Sequence, residues 1–292
     1  MGMRIRTNVS SLTAQRNMLQ NTERMGQSFE RLASGYRINK SADDAAGLAI
    51  SESLRGKVRG LNQAKRNAND AVSLIQIAEG GMNEMSNILI RLRELTVQAA
   101  SDTIADPERQ FLNKEYVQLV DEMDRIAQTS EFNGVRLFAE GSKEQYVIQV
   151  GTNGSAPEEN LDTITIGLEG LKFGSADLGL GKEAEIGPVS VGEEGPSRED
   201  IAGRLNVIDD SLKKMAGERS TLGALQSRLN SAISNLGSQV ENMSAANSRI
   251  RDVDFASETA EMTQSRVLTQ ANLSVLSQAN AAPEMALSLL RS

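Results

Sequence analysis

Two adjacent carboxylates, Asp43 and Asp44, stand just ahead of the apolar run Ala45 to Ile50. Paired acids can bind a metal or exchange protons, and such sites are often completed by histidine or cysteine. The 292 residues contain neither. Their absence removes Ser-His-Asp and Cys-His catalysis, His-based zinc hydrolysis and the usual proton shuttle near neutral pH. Ser41, with Asp44 three residues on, instead predicts a capping-box-like helix start, both acids lying at the positive end of the helix dipole. Gly179-Leu180-Gly181 lacks the third glycine and the strand-to-helix setting of a dinucleotide site, so it is expected to be a turn. Asn133-Gly134 carries the same signal. Glycosylation sequons, among them those beginning at Asn8, Asn153, Asn242 and Asn272, are chance matches in a chain rich in Asn and Ser. No catalytic, metal-binding or cofactor-binding residue emerges, no cofactor is expected, and the chain reads as something other than an enzyme.

What the sequence does position is helices. Only six Phe and three Tyr are present, with no Trp, so the apolar residues are Leu, Ile, Val, Ala and Met, which suit long helices packed along narrow seams. From Leu205 to Ile250 a three/four spacing includes Leu212, Leu222, Leu229, Leu236 and Val240. Ile75, Met82 and Leu89 lie on a matching seam from Ala71 to Ala99, interrupted only by Thr96. After Asp106-Pro107, expected to cap and open a helix, Leu112, Tyr116, Leu119, Met123 and Ile126 form a third. These seams predict a rod of three long helices. The extreme ends carry their own, Met18, Met25, Phe29 and Leu32 near the start and Leu268, Val275, Met285 and Leu289 near the finish. Both are set among Asn, Gln, Ser and Thr, which are mediocre helix formers, so these ends are expected to order only against partners.

Between Glu140 and Asp200 there are thirteen acids and four bases, with eleven of the 24 glycines. Tyr146 to Val150 and Leu161 to Ile166 alternate as strands do. This acidic middle is expected to be a solvated surface holding a small β-region, and no basic patch invites nucleic acid. Met1 to Ser11 has no apolar run behind it and so no sign of a cleavable signal, and no stretch of 18 or more apolar residues would span a membrane.

Several segments resemble bacterial flagellins. Glu30-Arg31-Leu32-Ala33-Ser34-Gly35-Tyr36-Arg37-Ile38-Asn39 is similar to the family's ERLSSGLRIN signature, and it runs on into Asp43-Asp44-Ala45-Ala46-Gly47-Leu48-Ala49-Ile50 and Arg66-Asn67-Ala68-Asn69-Asp70. Val275-Leu276-Ser277-Gln278-Ala279-Asn280 and Leu287-Ser288-Leu289-Leu290-Arg291 resemble its closing segment. The resemblance implies a mainly α fold, an elongated bundle of long coiled-coil-like helices with paired N- and C-terminal helices and a small β-hairpin region in the middle. It implies inner-tube arms at 1–43 and 252–292, rod segments at 44–140 and 201–251, and a solvent-facing acidic region at 141–200. It also implies a secreted filament subunit used for motility, exported unfolded through the flagellar type III apparatus. The implied partners are other copies of the chain, a flagellin chaperone, the export apparatus, hook–filament junction and cap proteins, and sister flagellins. Arg91-Leu92-Arg93-Glu94-Leu95-Thr96-Val97 resembles the segment read by the Toll-like flagellin receptor of mammals, with Arg91, Leu95 and Glu115 at its main contact positions and a departure at Ile90. In the filament the same residues would pack subunits. A hook–filament junction protein, a flagellin bearing a surface enzyme and a free coiled-coil adaptor are the competing readings.

Overall fold

The computed structural model describes residues 7–138, 144–152, 160–167, 169–181, 186–187 and 196–291. Five helices dominate it: α1 (Val9–Ser34), α2 (Ala45–Ala99), α3 (Asp106–Thr129), α4 (Arg198–Arg251) and α5 (Phe255–Arg291). Among the described residues four short strands lie between α3 and α4: β1 (Glu131–Phe132), β2 (Val135–Arg136), β3 (Gln145–Gln149) and β4 (Thr163–Gly167). The chain divides into two compact units, residues 1–58 with 241–292, and residues 59–240. The division falls within α2 and α4 rather than in the linkers at either side.

The 59–240 unit holds the large core. On α4, Ile201, Ile208, Met215, Leu222, Leu229 and Leu236 recur every seventh residue and are all buried. A strict seven-residue repeat of this kind keeps one face of a helix on its partner. Ile75, Met82 and Leu89 of α2 are fully buried in the same cluster, while Leu212 and Val240 are half-buried. Thr96, the polar member of the α2 seam, is buried without penalty because its hydroxyl donates to the Leu92 carbonyl at 2.7 Å. On α3, Tyr116 and Met123 are buried.

The ends of the helices depart from expectation in detail. Asp44 caps α2, its carboxylate accepting from the Gly47 amide at 2.9 Å, and Ser41 takes no part. Asp43 accepts instead from the Asn39 and Lys40 amides, both at 3.0 Å. These amides hold the Asp43 carboxyl below the ordinary carboxylate range, Lys40's contributing most. Asp106 is the first residue of α3 and not its cap. That place belongs to Ala105, whose amide is taken by Glu108 reaching back at 3.2 Å.

β1 and β2 form a hairpin whose two turn residues, Asn133 and Gly134, have φ of 51° and 76°. Two positive φ angles define the type I′ turn that Asn-Gly favours. β3 and β4 pair antiparallel, Ile148 opposite Ile164, and β4 starts two residues later than the alternation suggests because Asn160–Asp162 winds into a 3₁₀ turn. Gly179 turns with φ of 69°.

The acidic middle is more than a solvated surface. Leu171, Phe173, Leu178, Leu180 and Ile186 are buried in the main core, and Phe173 meets Phe138 with ring centroids 6.2 Å apart. Two anchors from α3 tie it down. Asp124 accepts from the amide and hydroxyl of Ser175 at 2.6 and 2.7 Å, and buried Asn113 accepts from the Ile186 amide at 3.0 Å. These side chains satisfy backbone and hydroxyl donors that would otherwise be buried unpaired.

Candidate assembly surfaces

In the unit made by the two ends of the chain, α1 and α5 pack antiparallel. The Asn8 amide group donates to the Ala279 carbonyl at 2.7 Å and the Ser11 hydroxyl to Asn280 at 2.8 Å. At the far end of the pair Arg31 meets Glu258 at 3.6 Å. The stripe of α1 turned toward α5 runs Ser11, Ala14, Met18, Asn21, Met25, Ser28 and Leu32; that of α5 runs Glu258, Met262, Ser265, Thr269, Asn272, Leu276 and Ala279. Both keep heptad spacing, but small and polar residues fill four of the seven places on α1 and five of the seven on α5. Each helix shelters the other's stripe.

Met18, Met25 and Leu32 therefore lie in this contact, and Phe29 does not. Phe29 is 67% exposed, as are Leu19 at 71%, Leu268 at 41% and Val275 at 52%. The apolar stripe of α5 sits three positions off the stripe that meets α1. Met285 and Leu289 belong to α5 by backbone, but their side chains lie outside the described residues.

The linkers flanking the arms bind each other. The Arg37 amide donates to the Arg251 carbonyl at 2.7 Å and the Val253 amide to the Gly35 carbonyl at 3.0 Å. Gly35 closes α1 in the left-handed region, at φ 75°, which a side chain would resist. Arg251 joins the cluster through Glu52 at 2.6 Å and by lying over the Tyr36 ring, 4.7 Å from its centroid. Glu52 is held charged chiefly by this hydrogen bond.

On the other unit, Arg91 donates through Nε and Nη2 to Glu115 at 2.9 and 2.8 Å and through Nη1 to Glu94 at 2.9 Å. Glu115 first, then Glu94, raise the guanidinium's hold on its proton. Leu95 lies beneath, 1% exposed and part of the core. The apolar side chains that this face offers to solvent are Ile90 and Val97. Among the described residues no group of His, Cys, Asp or Glu could hold a metal ion, and no helix is long and apolar enough to cross a membrane.

This arrangement of surfaces around two helical ends has close counterparts among known proteins. Residues 5–143 match the bacterial flagellin N-terminal helical region, and residues 205–290 match the bacterial flagellin C-terminal helical region. The chain belongs to the bacterial flagellin family. It is 40% identical to a flagellin of Halalkalibacterium halodurans over 289 residues, covering 99% of this chain and 100% of that one. With a Bacillus subtilis flagellin it shares 37% over 305 residues, again with 99% and 100% covered. The flagellar filament 33 kDa core protein of Treponema phagedenis is 36% identical over 299 residues, with the same coverage.

As a flagellin, the chain is a structural subunit of the bacterial flagellar filament, outside the cell, and not an enzyme. Its mainly α fold with a small antiparallel β-region in the middle is the fold expected. The surfaces that sequence reasoning missed are the polar contact stripe of α5 and the buried apolar residues of the middle region. The first could have been found from the heptad spacing of Glu258, Ser265 and Asn272. The second carries no period to find.

Proposed function

We propose that the chain is exported unfolded through the flagellar type III apparatus with a flagellin chaperone, and that it polymerises beneath a cap, beyond the junction proteins, alone or with sister flagellins. In this reading the arms, 1–43 and 252–292, line the inner tube. The segments 44–140 and 201–251 form the surrounding rods, and 141–200 faces outward. The observation that supports it is the unmet apolar face of the arms: Leu12, Leu19 and Phe29 of α1, and Val267, Leu268, Leu273 and Val275 of α5, are all more than 40% exposed. Covering one such side chain contributes about 1.5–3 kcal/mol, and neighbouring copies bring a like apolar face. Seeded polymerisation of purified monomer, followed by electron microscopy, tests the proposal. The parent chain should grow long filaments, while Leu19→Ser with Val275→Ser should keep its helix content and fail to grow. Variant growth at the parental rate would overturn the role of the arms.

A second role is supported by the geometry around Arg91. Its two carboxylate partners fix the guanidinium on an exposed face flanked by Ile90 and Val97, a surface that a Toll-like flagellin receptor can read in the monomer. Leu95 would then act by supporting the face from below. A receptor reporter assay on purified monomer settles this reading, and silence there would remove it.

A further inference from the structure

α5 carries a proline more than two turns before its end. The helix runs from Phe255 to Arg291 and passes through Pro283 without a break in its backbone. In an α-helix each amide donates to the carbonyl four residues back, and proline has no amide N–H to donate. The carbonyl that Pro283 leaves without its ordinary donor is that of Ala279. It is also the carbonyl that the side chain of Asn8 reaches from the opposite end of the sequence, Nδ2 donating at 2.7 Å. What one arm withholds, the other supplies.

The chemistry of Asn8 suits this double task. Asn8 is the cap of α1, its Oδ1 accepting from the Ser11 amide at 3.1 Å. With that oxygen engaged, the nitrogen of the same carboxamide is left to donate to α5. Among the residues that cap helices well, only asparagine carries an amide donor beside its acceptor. Within the next turn the buried Ser11 hydroxyl donates to Oδ1 of Asn280, the residue after Ala279, at 2.8 Å. Both bonds lie inside the unit that the two ends of the chain make together. Sliding α1 along α5 by one turn would carry Asn8 about 5.4 Å away, out of hydrogen-bond range, and leave the Ala279 carbonyl unmet. An acceptor left unmet in a part-buried contact costs more than the bond contributes when it is made.

We propose that Pro283 opens a recognition point in α5 at the Ala279 carbonyl, and that Asn8 of the chain's own N-terminal arm fills it and so sets the register of the two arms. A double-mutant cycle in the full-length monomer tests this, apart from any filament growth. Asn8→Ser keeps a capping oxygen on α1 but loses the carboxamide donor, while Pro283→Ala returns the helical donor to Ala279. Timed digestion with trypsin, read as the rate of cutting after Arg16 and Arg24, reports how often the arms part. Asn8→Ser alone should speed this cutting about fivefold, the worth of one net hydrogen bond. Pro283→Ala alone should not speed it, and adding Asn8→Ser to Pro283→Ala should change the rate less than twofold. The melting temperature of the 59–240 unit should be the same in all four chains, which keeps the reading local to the arms. An equal acceleration by Asn8→Ser in both backgrounds would make Asn8 a cap of α1 and nothing more. No acceleration in the parent would mean that its bond to α5 carries no weight, and either result overturns the proposal.

Discussion

Replacing Leu229 by Ala tests the reasoning about the core most directly. Leu229 is 0% exposed and sits fifth in the run of α4 residues that recur every seventh position. Its side chain lies in the continuous cluster that α2, α3 and α4 share, so truncation leaves a cavity that the flanking Leu222 and Leu236 turns cannot collapse into. Large-to-small changes at such sites cost about 2.7–5 kcal/mol, and about 3 kcal/mol is expected here. The 59–240 unit has roughly 180 residues, and unfolding entropy near 2.1 cal/mol/K per residue gives it about 0.4 kcal/mol/K. The melting temperature of the monomer, followed by circular dichroism at 222 nm, should therefore fall by about 8 °C. Leu268→Ala, on the open face of α5, is the control and should move it by less than about 1 °C. A Leu229→Ala melting point within about 2 °C of the parent would refute the picture of a single close-packed core.

Tyr116 is buried and its hydroxyl has no partner among the described residues, and burial pushes its pKa up to about 12. The neutral phenol is thus favoured in the fold: its contribution is complete below pH 10 and is lost as pH climbs through about 12. Tyr116→Phe should flatten that alkaline loss in a pH series of urea midpoints and leave neutral stability equal or higher. Asp44→Ala removes the cap of α2 and should cost about 1 kcal/mol, seen as faster hydrogen exchange at the Gly47 amide. The polar α1–α5 contact makes the arms the first part to open, so limited trypsin should cut after Arg16, Arg24 or Arg266 well before Arg91 or Arg125; simultaneous cutting would contradict this. Arg91→Ala should leave the monomer's melting unchanged while abolishing any receptor signal, since its ion pairs are exposed.

The rod was legible because its helices bury one narrow stripe each and the stripes are apolar. Ile201 to Leu236 can be read straight from the sequence as a repeat of seven. The arms defeat the same rule. α5 carries two stripes at heptad spacing, and reading by hydropathy selects the apolar one through Leu268 and Val275. Within one chain, however, α1 takes the stripe through Glu258, Ser265 and Asn272, and the apolar stripe is left open. The middle region hid its core because Leu171, Phe173, Leu178, Leu180 and Ile186 are scattered among glycines and acids. They are brought together by turns and by the Asp124 and Asn113 anchors instead of by periodicity. At the candidate receptor face, Arg91 and Glu115 emerged as a real pair, whereas the burial of Leu95 depends on its offset from the core stripe by part of a turn, finer than spacing alone resolves.

The mixed lining between α1 and α5 separates two properties that most helix pairs combine. Arg31, Glu258, Ser11, Asn8 and Asn280 match only in one alignment, so they act as an address, rejecting a partner helix slid by one turn. The outward leucines, valines and Phe29 act as glue, indifferent to which alignment the pair has chosen. Address and adhesive can then drift independently: a related chain could strengthen its filament through the open face without disturbing how its own ends recognise each other, or change its address and become deaf to a neighbour that shares the same glue.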